Sequence, residues 1–219
     1  MKRDEFHSDV RARPGILRQL EKDADKMAAA GDTRRVLFCF TSDPFQNFPE
    51  GEDVTRQALQ IMVDRGLPFE VCTKGGLRVE RDFDLLKQGG RLGVSLVWGE
   101  DDTWTAQEME PSAAIVEDRT FAVYNASQGG IYCWASIEPV IDAGAALRAI
   151  DVLDASGCNE FRVGKINHNR ELEAAVDWQA FVDEAYALLV ATGKKFMFKH
   201  SLGPWLHDRP ATGPEGSAT

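Results

Sequence analysis

Much of what this chain lacks is diagnostic. It has only four cysteines, Cys39, Cys72, Cys133 and Cys158, and no two fall at the C-x2-C spacing of a zinc or redox motif. Basic residues are also scarce, 25 Lys and Arg against 35 Asp and Glu, a formal charge of -10. That balance disfavours a free-standing nucleic-acid binder, because phosphate contacts need clustered cations. No uninterrupted apolar run approaches eighteen residues, and the charged N-terminus is unlike a secretory signal. The expectation is a cytoplasmic protein without a membrane span. No G-x-G-x-x-G follows the first strand and no G-x-x-x-x-G-K-[ST] occurs, so the nucleotide-binding forms of an open α/β sheet lose support.

What is present is an alternation of short apolar runs and amphipathic segments. With 43% hydrophobic residues in 219, one domain with a sizeable core is expected, over residues 1–206, with a disordered Pro/Gly/Ser/Thr-rich tail at 207–219. Apolar residues from Ile16 to Met27 recur at helical spacing. Val36–Phe40 reads as a buried strand, broken by Thr41, Ser42, Asp43 and Pro44, and Asp53 or Thr55 starts a helix to about Arg65. Further strands are expected at Pro68–Lys74, Arg91–Val97, Ile131–Ile137, Glu160–Gly164 and Lys195–Lys199. Helices are expected around 81–88, 112–125 (capped by Ser112), 143–155 and 177–191, with a long acidic loop over 99–111. Six strands alternating with helices imply a parallel sheet, and a full or partial β/α barrel is preferred over an open doubly wound sheet.

Sites in such folds are built at the carboxyl ends of the strands. Ser42, Lys74, Ser95, Glu138 and Lys165 occupy that position and would converge on one mouth. Strand alternation adds a constraint. If Ser42 faces the lumen, so do Phe40 and Phe38, and Cys39 faces the helices; Lys74 in the lumen brings Cys72 with it. A metal site from Cys39 and Cys72 is therefore not expected. Each residue also has a plainer reading. Lys74 before Gly75-Gly76 is equally a solvated strand-end lysine, Glu138-Pro139 a turn with an exposed acid, and Asp43-Pro44 an ordinary turn pair. His168 and His200 have no partner fixed by spacing and read as structural or solvated, and Glu100-Asp101-Asp102 reads as a solvated loop.

An ordered set of short motifs goes further. Thr41-Ser-Asp-Pro-Phe-Gln46 with Glu50, then Thr55-Arg56, resembles the "TDPYQ…E…TR" segment of radical S-adenosylmethionine proteins of the spore photoproduct lyase type. Thr73-Lys74 followed by Arg81-Asp82-Phe-Asp84-Leu85-Leu86 is similar to that group's "TK…RDxDLL". Gly93-Val-Ser-Leu96, Met109-Glu110-Pro111 with Arg119, Ile137-Glu-Pro-Val-Ile141 and Arg162-Val-Gly-Lys165 resemble its later segments in the same order, over about residues 13–202.

The resemblance implies a partial radical S-adenosylmethionine-type barrel of about six parallel strands. It implies S-adenosylmethionine contacts at Ser42, Lys74 and Ser95, and Arg119 on the cofactor's carboxylate. Asp43, Glu50 or Glu138 would accept from its ammonium. Family members also carry C-x3-C-x2-C after their first barrel strand, which holds a [4Fe–4S] cluster. This sequence has no such motif. The resemblance thus implies a domain without the first strand and cluster loop, truncated or split and inactive alone, with a separately encoded cluster-bearing fragment as partner. The alternative is a cluster-free barrel that binds a small ligand or a protein without catalysis.

Overall fold

The computed structural model describes residues 12–39, 42–46 and 53–213. Six parallel strands lie side by side in sequence order: β1 (Val36–Phe38), β2 (Phe69–Thr73), β3 (Arg91–Ser95), β4 (Tyr132–Val140), β5 (Glu160–Lys165) and β6 (Lys195–Phe198). Every neighbouring pair is parallel. Each connection therefore crosses over and carries helical structure, as parallel pairing requires. This is the α/β, partial (β/α)-barrel arrangement expected from the alternation.

The helices are α1 (Ile16–Ala29), α2 (Val54–Asp64), α3 (Phe83–Leu86), α4 (Thr103–Met109), α5 (Val116–Gln128), α6 (Ala143–Ala155), α7 (Arg170–Ala174) and α8 (Trp178–Thr192). Their starts follow local chemistry. Asp53, Asp142, Asn169 and Asp177 each accept a hydrogen bond from the backbone N–H three residues on, satisfying a donor that the first turn leaves unpaired. Asp53 rather than Thr55 caps α2. The Thr55 hydroxyl instead donates to the Pro44 carbonyl. Arg56 bonds both Asp82, whose side chain is fully buried, and Asp84. The Thr55-Arg56 and Arg81–Asp84 motifs thus join the α2 start to the turn before α3.

Three segments differ from the sequence expectations. The 81–88 helix is a 3-10 turn over Gly76–Asp82 running into the short α3. The acidic stretch 99–111 is a 3-10 turn at Glu100–Asp102 leading into α4, organised by the Asp102 carboxylate, which accepts from the Gly99 N–H and pairs with Arg148. The helix expected from Ser112 begins at Val116, because residues before it are held elsewhere: Ala114 N–H donates to the Lys74 carbonyl at 2.8 Å. Within the stretch expected as a disordered tail, Phe198 N–H donates to Ala211 O and Gly213 N–H to Phe196 O. Residues 211–213 thereby run antiparallel along the outer edge of β6.

Alternation divides the sheet into two unlike faces. Phe69, Val71, Leu92, Val94, Cys133, Ala135, Ile137, Phe161, Val163, Phe196 and Phe198 are buried under the helices. The opposite, lumen side carries Glu70, Arg91, Tyr132, Trp134, Glu160 and Arg162. Arg162 stacks 3.7 Å from the Trp134 ring centroid and pairs with Glu70 and Glu160. Arg91 lies 4.1 Å from the Tyr132 centroid, and the Tyr132 hydroxyl donates to Glu160. Gly93 makes room for Trp134: a Cβ there would sit 2.3 Å from the indole. Among the described residues no helix is long and apolar enough to cross a membrane.

Candidate active site at the carboxyl-terminal mouth

At the carboxyl ends of β1 to β4 a pocket of about 370 Å³ opens between the strand termini. Cys39, Ser42, Asp43, Cys72, Thr73, Lys74, Ser95, Ser136 and Glu138 line it. Of the eight residues singled out from the sequence, Ser42, Asp43, Lys74, Ser95 and Glu138 therefore come together from four separate loops and strand ends. Glu50 lies outside the described residues.

Asp43 is a brace. One carboxylate oxygen accepts from the Phe45 N–H at 2.8 Å and the Thr73 hydroxyl at 2.7 Å, the other from the Lys74 N–H at 2.6 Å. Charge-assisted bonds of this kind are the stronger class. They tie the loop after β1 to the end of β2, and Thr73 Oγ1 continues the chain by accepting from the Gly75 N–H. Ser42, beside this brace, is exposed.

Lys74 lines the pocket, Lys199 reaches it only through its partner Glu138, and both lysines are paired. Lys74 Nζ contacts Glu110, whose other oxygen lies 2.8 Å from Arg119. Lys199, just past β6, pairs with Glu138. Gly164 on the neighbouring strand leaves space for that acid, since a Cβ would fall 2.4 Å from its carboxylate oxygen.

Arg119 stands beneath the mouth rather than in it. Its side chain is 1% exposed, and it donates to Ala114 O at 2.8 Å and Ser95 O at 3.0 Å while facing Glu110. A buried guanidinium with these partners fixes the position of the β3 end and of Glu110. Lys165 also departs from the expected mouth. Gly164 faces the Glu138 side, so the next residue points the other way. Lys165 is buried, paired with Glu173 and set between Trp178 and Trp205, 5.6 and 5.5 Å from their centroids.

The cysteines give the clearest correction. Cys39 shares the pocket with Cys72 and does not face the helices. β1 ends at Phe38, and Phe38 packs edge-on against Phe69 at 6.4 Å on the helix side. Counting parity back from Ser42 crossed the strand end, where alternation no longer holds. Cys133 and Cys158 are buried on the helix side. Burial pushes the Cys133 thiol up to about 12 and raises Cys158 as well. Among the described residues, no group of three or more His, Cys, Asp or Glu side chains is arranged to hold a metal ion.

Ser136 escaped the sequence reading. It pairs with Ser95 in the β3–β4 register and precedes Glu138 by two residues on the same face. Extending alternation back from Glu138 would have found it. Glu110 carries a signal only as part of the Met109-Glu110-Pro111 motif with Arg119, the residue it pairs with, and Lys199, the partner of Glu138, has no comparable local signal.

No family model matches this chain, and no curated protein matches it in sequence. Solved structures do. Streptococcus suis SuiB bound to S-adenosylmethionine superposes with a TM-score of 0.65 at 12% identity, covering 90% of this chain and 46% of SuiB. SuiB bound to its precursor peptide SuiA gives 0.64 at 10% identity, covering 92% and 46%. A domain of pyruvate-formate lyase-activating enzyme from Bacteroides vulgatus gives 0.53 at 13% identity, covering 75% of this chain and 98% of that one. The chain spans less than half the length of SuiB. At these identities the likeness establishes the fold, a partial radical S-adenosylmethionine-like (β/α) barrel.

Proposed function

We propose that this chain is a radical S-adenosylmethionine-type domain that binds S-adenosylmethionine at the carboxyl-terminal mouth of its sheet. The observation that carries the reading is the convergence of Ser42, Lys74, Ser95, Ser136 and Glu138 on one pocket of about 370 Å³, a size usual for small-ligand sites. The donor set suits the ligand's chemistry. The Lys74 ammonium matches a carboxylate, the Glu138 carboxylate an ammonium, and the three short hydroxyls a ribose or amino-acid edge. Asp43, with both oxygens already accepting, and Arg119, buried beneath the mouth, act as positioning residues. In binding, the ligand's charged groups would exchange with the present partners, Glu110 for Lys74 and Lys199 for Glu138.

A [4Fe–4S] cluster does not fit the residues described. It needs three thiolates, whereas only two cysteines line the mouth and the other two are held protonated on the helix side. In this reading radical chemistry requires a cysteine-bearing segment supplied from outside the described residues, and the chain alone is inactive in reductive cleavage. The spore photoproduct lyase-like group is the finer assignment that its motifs favour, and the -10 charge argues against DNA as substrate.

The test is equilibrium dialysis of the chain with labelled S-adenosylmethionine. Saturable binding weakened by Glu138→Gln and Lys74→Ala is expected. Absence of binding by a folded chain would overturn the reading. A second reading, a cluster-free small-ligand barrel, is favoured by one observation: both mouth lysines already have carboxylate partners, a closed charge balance that needs no cofactor. Stabilisation in a thermal-shift screen by another small zwitterion, and not by S-adenosylmethionine, would select it.

A further inference from the structure

Neither the resemblance nor the ligand reading uses the two cysteines at the mouth. β1 and β2 pair in parallel as Val36 with Phe69, Leu37 with Glu70 and Phe38 with Val71. Cys39 and Cys72 are the next residues on the two strands, one step past the last paired position. Both line the pocket, and neither is fully buried. Adjacent strands lie about 4.8 Å apart, inside the range of about 4.4–6.8 Å over which a disulfide spans two Cα atoms. The two thiols bias each other: Cys72 draws Cys39 below its ordinary thiol range, while Cys39 and burial push Cys72 well above its own. A split of this kind favours one sulfur as the nucleophile and leaves its neighbour as a reserve thiol.

We propose that Cys39 and Cys72 are a reversible oxidation site, a dithiol at the pocket mouth that a hydroperoxide converts into a disulfide. The Cys39 thiolate attacks one peroxide oxygen and the O–O bond breaks. The departing oxygen takes a proton and leaves as water or an alcohol, and Cys39 becomes a sulfenic acid. The Cys72 sulfur, losing its proton, then displaces the sulfenic hydroxyl as water and the S–S bond forms. The peroxide accepts two electrons and the two thiols give them up. A low-molecular-weight thiol reverses the step by exchange.

Cys133 and Cys158 serve as internal controls, being buried under the helices with their thiols held protonated. The disulfide would join the end of β1 to β2 across the floor of the pocket. It would also cover the nucleophilic sulfur against further oxidation, the usual role of a resolving cysteine.

The experiment is titration of the intact, reduced chain with hydrogen peroxide, followed by non-reducing peptide mapping. The expected product is a 39–72 cross-linked peptide pair lighter by two hydrogens, restored by dithiothreitol, with Cys133 and Cys158 unmodified. Cys39→Ser and Cys72→Ser should each abolish it, and Cys72→Ser should accumulate sulfinic acid at Cys39. Phenylarsine oxide, which needs two neighbouring thiols, should bind one per wild-type chain and neither variant. Circular dichroism and the thermal transition of each variant check that the fold is kept. If the variants misfold, the wild-type cross-link and arsenical stoichiometry still decide. Oxidation of Cys39 to sulfinic acid in the wild type with Cys72 free, or cross-links only between chains, would overturn the proposal.

Discussion

At the amino-terminal end of the lumen face, Arg162 is held between Glu70 and Glu160 and stacked on Trp134, while Arg91 covers Tyr132. At the carboxyl-terminal end of the same face the polar groups are Ser95, Ser136, Lys74 and Glu138, and they border open space. The same alternation delivers both sets. What differs is how the charges are matched. In the first region they lie within strands of fixed register, where Glu70 and Glu160 sit in the 7–10% exposure range and every ion has an ionic or aromatic partner. In the second they lie where strands become loops, and their partners, Glu110 and Lys199, arrive from outside the strands and leave a pocket between them. A matched lattice stabilises, and one that leaves a pocket between its paired charges has room for a ligand.

The sharpest way to break that contrast is at the lattice. Arg162→Ala leaves two poorly exposed carboxylates without their cation and should cost about 3 kcal/mol or more. Ligand affinity of the remaining folded protein should be unchanged. Chemical denaturation and dialysis measure the two separately, and an equal loss in both would show that the regions are one unit. Asp43→Ala removes three accepted bonds at the border of the pocket and should cost about 2 kcal/mol while also weakening ligand binding, because it releases the β2 end.

Glu138→Gln should reverse the pattern. Its pair with Lys199 is partly exposed on both sides, so stability should move by less than about 1 kcal/mol. Affinity for an ammonium-bearing ligand should fall about tenfold, the equivalent of one charge-assisted hydrogen bond. A stability loss comparable with that of Arg162→Ala would move Glu138 from the binding set to the structural one.

The smallest effect concerns pH. Burial works to raise the Glu160 carboxyl, but its pairing with Arg162 and the Tyr132 hydroxyl prevails and holds it below the usual carboxylate range. Its ionised form therefore stabilises the fold above the unfolded value, about 4.3, and that contribution is lost as the pH falls through the lower folded value. Glu160→Gln should be less stable at neutral pH and show a shallower decline on acidification below about pH 5. Parallel stability–pH curves would show that Glu160 contributes nothing to the lattice.

How far the sequence carried the description depends on how local the cause was. The order of strands and helices was legible because burial on one face leaves alternation and helical spacing in the chain itself. Asp53 marks a helix start for the same reason, acting on an N–H three residues away. Tyr132–Glu138 and Glu160–Gly164 also carry an apolar/polar alternation, now seen to mark a polar lumen. Where the cause was distant the reading failed. Lys165 was placed with the mouth because it stands at a strand end, yet its surroundings are Glu173, Trp178 and Trp205. The 99–111 stretch looked like a solvated loop because its Arg148 partner lies 46 residues from Asp102.

The amino-acid sequence by itself determined the alternating α/β architecture and marked Ser42, Asp43, Lys74, Ser95 and Glu138 as residues at strand ends, since backbone periodicity and turn chemistry act within a few positions. Only the tertiary structure decided what each does there. It made Asp43 a brace, buried Arg119 beneath the pocket, added Ser136 and brought Cys39 and Cys72 to one pocket. Those roles depend on which strands become neighbours and in what register, and a parallel pairing between residues 33 positions apart leaves no mark in either segment alone.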